Sequence, residues 1–250
     1  MKGVILCGGY GTRLQPLTLT TNKHILPIYN KQMVCYPLKT LKDIGITDIC
    51  VVLGGENVDA FIRFLKDGTQ FGLDFTYIYQ RDAGGIAQAV SLCEKFVGED
   101  NFVTILGDNL FIGPLAQFRL EFERSGALCG LVFYPVSDPC VYGVPRFEGD
   151  SLVEILEKPH NPPSGYAVTG IYAYTPAIFD VIRKLTPSTR GELEISDAHT
   201  YILREGYKVY YETFEGVWCD CGSSFDSLLN SSLVVRKAKR GRTSAMEVVR

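Results

Sequence analysis

Two periods of apolar residues alternate along the first half of the chain. Short apolar or alternating runs predict strands, and runs with apolar residues three and four positions apart predict helices between them. The predicted strands cover residues 2–7, 48–53, 74–79, 102–106 and 128–133, and the predicted helices cover residues 33–44, 58–65, 86–96 and 115–124. This alternation predicts an α/β fold with a mainly parallel sheet and helices on both faces.

The pattern changes after residue 135. Shorter strands are predicted at residues 141–147, 151–156, 166–174 and 207–214, with helices at residues 176–184, 194–205 and 223–239. Pro145 lies inside one of these strands and indicates a sheet edge or a bulge, because proline has no N–H for a strand ladder. No linker or repeat interrupts the chain, so we expect one domain, residues 1–250, with a substrate-binding lobe inserted on the same sheet.

The composition argues against several classes of protein. Of the 250 residues, 46% are hydrophobic and 21% are charged, which is typical of a globular chain and not of a disordered one. The formal net charge of −3 argues against a general electrostatic grip on nucleic acid or on an anionic membrane. The longest apolar run, residues 126–134, is too short to cross a bilayer, and the apolar residues near Met1 are too few for a signal peptide. We therefore expect a cytoplasmic protein without nucleic-acid or membrane partners.

The eight cysteines are expected to be reduced thiols, because a chain of this size can fold without disulfides. Cys219 and Cys221 form the tightest pair, but no C-x-x-C or histidine-rich segment completes the four ligands of a zinc site. Four others lie in apolar stretches and are predicted to be buried: Cys7, Cys50, Cys93 and Cys129.

The strongest chemical signal is a glycine-rich turn directly after the first strand, with the sequence Gly8-Gly9-Tyr10-Gly11-Thr12-Arg13-Leu14. Glycines allow backbone N–H groups to approach a polyphosphate, and a turn of such groups forms an anion-binding nest. The turn lacks the Lys-Ser/Thr ending of a P-loop, and Leu14 stands where the dinucleotide-binding fingerprint has its third glycine. A glycine-rich turn remains that carries its own arginine and is followed by Lys23. Such a turn by itself is as often structural as functional.

Further motifs follow in order along nearly the whole chain. They are Tyr36-Pro37-Leu38, Gly84-Gly85-Ile86-Ala87-Gln88-Ala89, Leu106-Gly107-Asp108-Asn109, Tyr142-Gly143-Val144, Glu157-Lys158-Pro159, residues 166–172, residues 190–195 and Trp218-x-Asp220-x-Gly222. Together with the glycine-rich turn they resemble the signature of the sugar-phosphate nucleotidyltransferases, in the glucose-1-phosphate thymidylyltransferase branch. The resemblance implies the nucleotide-diphospho-sugar transferase fold, an α/β fold with a Rossmann-like, mainly parallel mixed sheet. It also implies a nucleotide-binding half at about residues 1–135, a sugar-binding half at about 136–222 and a C-terminal helix at about 223–250.

The resemblance also implies a reaction. This branch transfers a thymidylyl group from dTTP to glucose 1-phosphate, giving dTDP-glucose and pyrophosphate. Because a sugar phosphate is mostly dianionic near neutral pH, catalysis has to align two anions and stabilise the leaving pyrophosphate, and it needs no strong base. By resemblance, Arg13 binds the β- and γ-phosphates, Lys23 reaches toward the reacting phosphates and Lys158 binds the sugar phosphate.

Metal and substrate residues follow from the same resemblance. Asp108 and Asp220 are expected to hold Mg²⁺, which is usually bound by one or two protein carboxylates together with substrate phosphates and water. Gln80, whose amide offers a donor and an acceptor, is expected to read the O4/N3–H edge of thymine or uracil. The other expected substrate-binding residues are Gly8, Gly9, Gly11, Thr12, Gly85, Gly143, Glu157, Val168, Tyr172 and Trp218.

Other interpretations stay open from the residues alone. Asp108-Asn109 is also typical of a turn or helix cap, Gln80 of a solvated strand end, and Glu157 of an ion pair with Lys158. The aromatic residues are equally typical of a core. The alternative functions are a UTP- or CTP-using sugar-1-phosphate nucleotidyltransferase and a non-catalytic regulator that binds a nucleotide sugar. A homo-oligomer is also left open.

Cys221 and the three histidines are residues to which the resemblance gives no role. Cys221 lies beside Asp220, where the family usually has a small or hydroxyl residue, and this suggests sensitivity to oxidants. His24, His160 and His199 form no triad with a nucleophile and are predicted to be solvated or capping.

Overall fold

The computed structural model describes residues 1–55 and 57–247, with side chains as far as residue 240. Within these residues the strands are β1 (Lys2–Cys7), β2 (Pro27–Ile28), β3 (Lys31–Gln32), β4 (Asp48–Gly54), β5 (Asp74–Gln80), β6 (Phe102–Leu106), β7 (Asn109–Ile112), β8 (Cys129–Pro135), β9 (Gly143–Glu148), β10 (Ser151–Glu157), β11 (Tyr166–Tyr174), β12 (Val209–Thr213) and β13 (Val217–Asp220). The helices are α1 (Cys35–Asp43), α2 (Val58–Leu65), α3 (Ile86–Ser91), α4 (Glu94–Val97), α5 (Ala116–Ser125), α6 (Ile178–Ile182), α7 (Ile195–Arg204) and α8 (Phe225–Glu247).

Seven strands form the central sheet in the order β12-β8-β11-β6-β1-β4-β5. β1 pairs in parallel with β4 and β6, β4 pairs in parallel with β5, and β8 pairs in parallel with β12. β11 runs antiparallel to both of its neighbours, β6 and β8. The sheet is therefore mixed and mainly parallel, as predicted. β1 and β4 are almost continuously buried, which is typical of central parallel strands covered on both faces.

Helices cover both faces of the sheet, as the alternation of elements predicted. On one face, Val4 and Leu6 of β1 pack with residues of α3, α6 and α7. On the other face, Ile5 and Cys7 of the same strand pack with residues of α1, α2 and α5. Successive side chains of a strand point to opposite faces, so the apolar run of β1 serves two cores at once.

Most of the predicted elements are confirmed to within a few residues, and two features differ. The predicted helix at residues 86–96 is two helices, α3 and α4. The Cys93 N–H donates to the carbonyl of Val90, three residues back, so the first helix tightens and ends before the second begins. The pairs β2–β3 and β7–β13 are not predicted from the sequence, because strands of two to four residues carry little periodic signal.

The second half of the chain contributes β11 and β12 to the same seven-stranded sheet. It also forms the separate pair β9–β10, in which Pro145 lies opposite Ile155. β9 has one strand partner among the described residues, so the expected edge position of Pro145 is confirmed. The shared sheet supports our proposal that residues 1–250 form one domain. The end of the proposed C-terminal helix, residues 248–250, lies outside the described residues.

Two further observations concern the whole described chain. Across residues 1–55 and 57–247, no helix is long and apolar enough to cross a membrane. All eight cysteines are free thiols, and the four that were predicted to be buried are buried: Cys7, Cys50, Cys93 and Cys129.

Candidate active site

A cleft of about 330 Å³ opens at the carboxyl ends of β1, β5 and β6, the edge at which parallel sheets usually collect ligands. Most of the site residues expected from the sequence line it, and they come from both halves of the chain: Gly8, Gly9, Arg13, Lys23, Gln80, Gly85, Asp108, Gly143, Glu157, Lys158, Val168, Tyr172, Trp218 and Asp220. Gly11 and Thr12 do not line the cleft. They lie just after Gly8 and Gly9, at the start of the short 3₁₀ turn that carries Arg13.

The glycine-rich turn forms one wall of this cleft. Gly8 lies so close to Gln80 that a Cβ on Gly8 would come within 2.4 Å of Gln80 Oε1. Gly9 and Gly11 have φ angles of 91° and 62°, in the left-handed region that favours glycine. The carbonyl of Gly11 accepts a hydrogen bond from Thr18 Oγ1 at 2.8 Å, so Gly11 supports the turn from outside the cleft.

Arg13 is carried by a short 3₁₀ turn, Thr12–Leu14, that follows the glycines. Leu14 is fully buried and anchors the turn to the body of the protein. Arg13 itself is exposed and lines the cleft. A guanidinium in this position has its five N–H donors available to an anion in the cleft.

Lys23 and Asp108 form an ion pair in the cleft, with Lys23 Nζ 2.5 Å from Asp108 Oδ2. Both side chains are largely buried, 15% and 11% exposed respectively. Burial by itself raises the pKa of Asp108, but the Lys23 ammonium outweighs it and holds that pKa below its usual range. Burial likewise lowers the pKa of Lys23, and the Asp108 carboxylate raises it above its ordinary value. Both groups are therefore charged at neutral pH.

The pairing of β7 with β13 brings Asp220 to the same place. In the register of these strands Asp220 lies opposite Asn109, the residue after Asp108. The Cys221 N–H donates to the Asp108 carbonyl at 2.9 Å, and the Gly222 N–H donates to Asp220 Oδ1 at 3.1 Å. A Cβ on Gly222 would lie 2.4 Å from Asp108 Oδ2, so only glycine leaves room for that carboxylate.

The charges of this cluster fit a divalent cation. Burial and the nearby Asp108 carboxylate raise the pKa of Asp220 to about 6, although Lys23 acts in the opposite direction. Lys23 is ion-paired with Asp108 and also acts on Asp220, and an all-oxygen donor set of this kind suits Mg²⁺ better than a soft metal. The described residues hold no group of three or more His, Cys, Asp or Glu side chains placed to bind a metal. A cation here would therefore need substrate oxygens or water to complete its coordination.

Asn109 links Asp108 to Trp218 and Gly170 through hydrogen bonds of its side chain. The sequence gives no sign of this role apart from the position of Asn109 directly after Asp108. Asn109 Oδ1 accepts from Trp218 Nε1 at 2.7 Å and from the Gly170 N–H at 2.9 Å. Asn109 Nδ2 donates to Asp108 Oδ1 at 3.1 Å. Gly170 lies where the register of β11 against β8 shifts, so its N–H is available to a side chain. The amide thus holds Asp108 and Trp218 in fixed relation.

Glu157 and Lys158 lie at the end of β10, on the side of the second half of the chain. Ser196 Oγ donates to Glu157 Oε2 at 2.6 Å, Lys158 Nζ lies 3.3 Å from Glu157 Oε1, and Arg190 Nη2 lies 3.7 Å from the same oxygen. Lys158 has a φ of 45°, rare for a residue with a side chain, and its N–H donates to the Tyr142 carbonyl at 2.9 Å. Such backbone strain clusters at functional positions.

Apolar and backbone surfaces complete this side. Gly143 begins β9, Val168 and Tyr172 belong to β11, and Trp218 belongs to β13. The Trp218 ring meets the Tyr142 ring at a centroid distance of 5.3 Å and an angle of 62°. Trp218 and Tyr172 are only 7% and 4% exposed, so they are part of the core as well as the surface of the cleft.

Gln80 and Gly85 lie together on the side of the first half of the chain. Gln80 ends β5 and is 6% exposed, so the interpretation of a solvated strand end is wrong. Gly85 has a φ of 97°, and a Cβ there would lie 2.5 Å from the Leu193 carbonyl oxygen. The Leu193 N–H donates to the Gly84 carbonyl at 2.8 Å, and the Ala87 N–H donates to the Leu193 carbonyl at 3.2 Å. The loop before α7 is therefore bonded directly to the loop that carries Gly85.

The prediction that the histidines are solvated or capping is wrong for two of them. His24 and His199 line the cleft and are 2% and 0% exposed. His24 Nδ1 lies 2.7 Å from Asn22 Oδ1, and His199 Nε2 lies 2.7 Å from Tyr174 Oη. Burial lowers the pKa of both histidines to about 3, so both are neutral at pH 7. His160 is exposed, as predicted.

One cleft thus combines the cations Arg13, Lys23 and Lys158 with the carboxylates Asp108 and Asp220. Separated cations and a carboxylate pair suit two phosphate-bearing molecules that meet in the cleft, because phosphate transfer depends on alignment and charge stabilisation. The fold and the site therefore define an enzyme of the phosphate- or nucleotidyl-transfer class.

Comparison with known proteins identifies the family. Residues 2–237 match the nucleotidyl transferase family, and the chain belongs to it. It is 38% identical over 248 residues to a low-salt glycan biosynthesis nucleotidyltransferase of Haloferax volcanii, covering 98% of this chain and 70% of that protein. It is 41% identical over 241 residues to a glucose-1-phosphate thymidylyltransferase of Mycolicibacterium smegmatis, covering 94% of this chain and 82% of that protein.

A solved structure agrees with these relatives. A Bacillus anthracis protein assigned as a glucose-1-phosphate thymidylyltransferase, crystallised with sucrose, superimposes with a TM-score of 0.89 at 43% identity. The match covers 94% of this chain and 95% of that one. The predicted nucleotide-diphospho-sugar transferase type of fold is thereby confirmed.

Proposed function

We propose that this chain is a glucose-1-phosphate thymidylyltransferase, which transfers a thymidylyl group from dTTP to glucose 1-phosphate and releases pyrophosphate. The relatives that carry this name support the proposal. The observation that carries it is that a single cleft joins the Lys23–Asp108 ion pair and Asp220 to Gln80 in the first half and to Glu157 in the second. In this proposal the base binds near Gln80, the sugar binds near Glu157, and the charged side chains of Lys23, Asp108 and Asp220 lie near the reacting phosphates.

The reaction needs alignment more than proton transfer. A phosphate oxygen of glucose 1-phosphate attacks the α-phosphorus of dTTP, a new P–O bond forms, and the bond to the β-phosphate oxygen breaks in line. The leaving pyrophosphate takes the bonding electron pair. Because the attacking phosphate is already anionic, the protein's task is to hold two anions together and stabilise the charge that develops on the leaving group.

Three cations perform this task in the proposal. Arg13 belongs to the glycine-rich turn, whose Gly8 and Gly9 also line the cleft, and it binds the β- and γ-phosphates. Lys23, held by Asp108, reaches the reacting phosphates. Lys158 binds the phosphate of the sugar, and its left-handed backbone fixes the direction in which it leaves β10. Gly11 and Thr12 shape the turn that carries Arg13.

The hexose fits the other half of the cleft. The Glu157 carboxylate can accept hydrogen bonds from two vicinal sugar hydroxyls, and the Ser196 hydroxyl holds it in place. Gly143, Val168, Tyr172 and Trp218 supply the backbone and flat apolar surface on which a sugar ring packs. The ion pair between Glu157 and Lys158 is compatible with this role, because the same contact keeps both side chains at the edge of the cleft.

Mg²⁺ is the proposed cofactor, and Asp108 and Asp220 are the residues that would hold it. When bound, it would polarise the phosphate oxygens and neutralise part of their charge. Burial and the Asp108 carboxylate raise the pKa of Asp220, and a divalent cation bound beside it would favour its charged form. Asn109 keeps the Asp108 carboxylate oriented through its hydrogen bond to Oδ1.

Base choice is the property that tests the proposal. Gln80 can pair with thymine or uracil, whereas cytosine presents reversed donors and acceptors at its N3/C4 edge. A site built to pair with its ligand can reject a mismatched one by several powers of ten, while the thymine methyl adds apolar contact worth on the order of ten- to a hundred-fold. We therefore expect dTTP to be the best substrate, UTP a measurable one and CTP a poor one.

The experiment compares kcat/KM for dTTP, UTP and CTP with glucose 1-phosphate and Mg²⁺, by pyrophosphate release from the full chain. Reactions without the sugar phosphate are the control for triphosphate hydrolysis. A higher kcat/KM with CTP would overturn the thymidylyl assignment. No turnover with any sugar phosphate would favour the alternative of a regulator that binds nucleotide sugars without catalysis.

The setting of the enzyme is part of the proposal. All eight cysteines are free thiols, which supports the reducing cytoplasm as its compartment. Its partners in this proposal are the two small-molecule substrates, and whether copies of the chain associate is a separate question for measurement of mass in solution.

A further inference from the structure

The amide of Gln80 is held by two acceptors on the protein. Gln80 Nε2 donates to Gln88 Oε1 at 2.5 Å and lies 3.5 Å from the Gly85 carbonyl oxygen. Gln80 Oε1 faces the opposite way, toward Gly8, where a Cβ would come within 2.4 Å of it. Among the residues that the structure describes, none donates a hydrogen bond to this Oε1. Gln80 therefore directs an acceptor, and not a donor, into the cleft.

The orientation of the Gln80 amide follows from which neighbouring groups can accept a hydrogen bond. Two glutamine amides facing each other could exchange donor and acceptor by rotating together, since each carries both. The Gly85 carbonyl favours one of the two arrangements, because a carbonyl only accepts and so prefers the amine of Gln80 on its side, but at 3.5 Å the contact is too long to hold the amide by itself. Gln88 Oε1 then receives the shorter and stronger of the two bonds.

Gln88 reaches Gln80 from outside the cleft. It lies in the first turn of α3 and is absent from the cleft lining, although its neighbours Ile86 and Ala89 are part of that lining. A Cβ on Gly84 would lie 3.1 Å from Gln88 Cδ, so glycine at position 84 leaves room for this amide. Gln88 can therefore affect a bound base only through Gln80, because Gln88 itself does not line the cleft.

We propose that Gln88 is a positioning residue for base selection: it holds the Gln80 amide with Oε1 toward the base, so that the site accepts N3–H of thymine or uracil and rejects the N3 lone pair of cytosine. The inference rests on the proposed function and extends it by naming the residue that orients the base reader. With the acceptor of Gln88 removed, the Gln80 amide is held only by the longer contact to Gly85 and can rotate to present its amine, which suits cytosine.

The test replaces Gln88 with methionine, which keeps the length of the side chain and removes the acceptor. Gln88→Glu is the conservative variant, because a carboxylate at this position still accepts from Gln80 Nε2. The readout is the ratio of kcat/KM for dTTP to that for dCTP, which cancels any general loss of activity or change of charge. We expect Gln88→Met to lower this ratio by on the order of tenfold, as the loss of one hydrogen bond implies, and Gln88→Glu to keep it near the wild-type value.

Gln88→Leu provides a second apolar variant in case the methionine variant does not fold, with circular dichroism as the check. A wild-type ratio in a folded Gln88→Met or Gln88→Leu enzyme would overturn the inference, and so would an equal loss in Gln88→Glu. The wild-type enzyme separates this failure from that of the proposed function. If wild type transfers no nucleotide or prefers dCTP, the proposed function is wrong, whereas a dTTP-selective wild type with unchanged apolar variants contradicts only the role of Gln88.

Discussion

The ammonium of Lys23 lies against Oδ2 of Asp108, on the carboxylate that is also expected to bind a metal. The other oxygen of Asp108 accepts from Asn109, so both oxygens are already engaged by the protein. Lys23 is thus the cation that balances Asp108 within the protein, and a divalent cation that bound this carboxylate through Oδ2 would share that oxygen with Lys23 or displace it. Competition between Lys23 and a divalent cation for Asp108 can be measured, because removing Lys23 should change how strongly Mg²⁺ stabilises the protein.

Replacing Lys23 with methionine should expose that competition. Without divalent cations we expect the free energy of unfolding to fall by about 3 kcal/mol, because Asp108 keeps a buried charge without its partner. Mg²⁺ should raise the melting temperature of the variant more than that of wild type, since no ammonium then competes for Oδ2. Thermal unfolding with and without Mg²⁺ measures both effects. Lys95→Met, at an exposed position of α4, is the control, and an equal Mg²⁺ shift in the Lys23 variant and wild type would contradict the competition.

Asp108→Asn and Asp220→Asn should each lose most of the turnover, by about a hundredfold or more, while keeping the fold. An amide neither neutralises Mg²⁺ nor replaces a carboxylate in its coordination shell. Pyrophosphate release measured against Mg²⁺ concentration gives the result for each variant. Asp226→Asn, exposed at the start of α8, is the matched control. A near-normal rate in either site variant would remove that residue from the metal site.

Lys158→Ala should mainly raise the KM for glucose 1-phosphate, by about tenfold or more. The variant would lose the ion pair between the Lys158 ammonium and the sugar phosphate. The lost binding free energy should be that of a charged hydrogen bond, about 1.5–3 kcal/mol. Steady-state kinetics with each substrate varied in turn distinguishes the two sites, and Lys95→Ala controls for loss of a positive charge elsewhere. A variant impaired only toward the triphosphate would show that Lys158 belongs to the nucleotide side.

His199 should make the protein less stable in acid. Its pKa is about 3 in the folded protein and near 6.5 in an unfolded chain, so below pH 6.5 the unfolded chain binds more protons and the free energy of unfolding falls as the pH falls. Between pH 6.5 and 5.5 this histidine accounts for a loss of about 1 kcal/mol. Urea unfolding at the two pH values should show a smaller loss in His199→Gln than in wild type. His160→Gln, at an exposed position, should behave as wild type, and an unchanged loss in His199→Gln would refute the assignment.

The sequence by itself determined the local elements and much of the chemistry of this protein. The continuous apolar run of β1 and the helical spacing of α2 are read from neighbouring residues, and both elements are found where predicted. The glycine-rich turn could be recognised from its glycines, and Arg13, the Glu157-Lys158 pair and the two aspartates could be named because their short, contiguous motifs resemble those of the family. The two elements and the motifs are each made of residues that are close together in the chain, so the sequence alone is enough to identify them.

Only the tertiary structure decided how these pieces meet. Asp108 and Asp220 come together because the short strands β7 and β13 pair, and neither strand has enough residues to show a period. His24 and His199 are buried because elements from distant parts of the chain close over them, which a single histidine in a polar context cannot reveal. The Gln80 amide presents its oxygen because Gln88 and Gly85 take its amine. Burial and hydrogen-bond direction are set by the neighbours that folding supplies, so the sequence names the groups and the packing of the sheet and helices determines which of them act together.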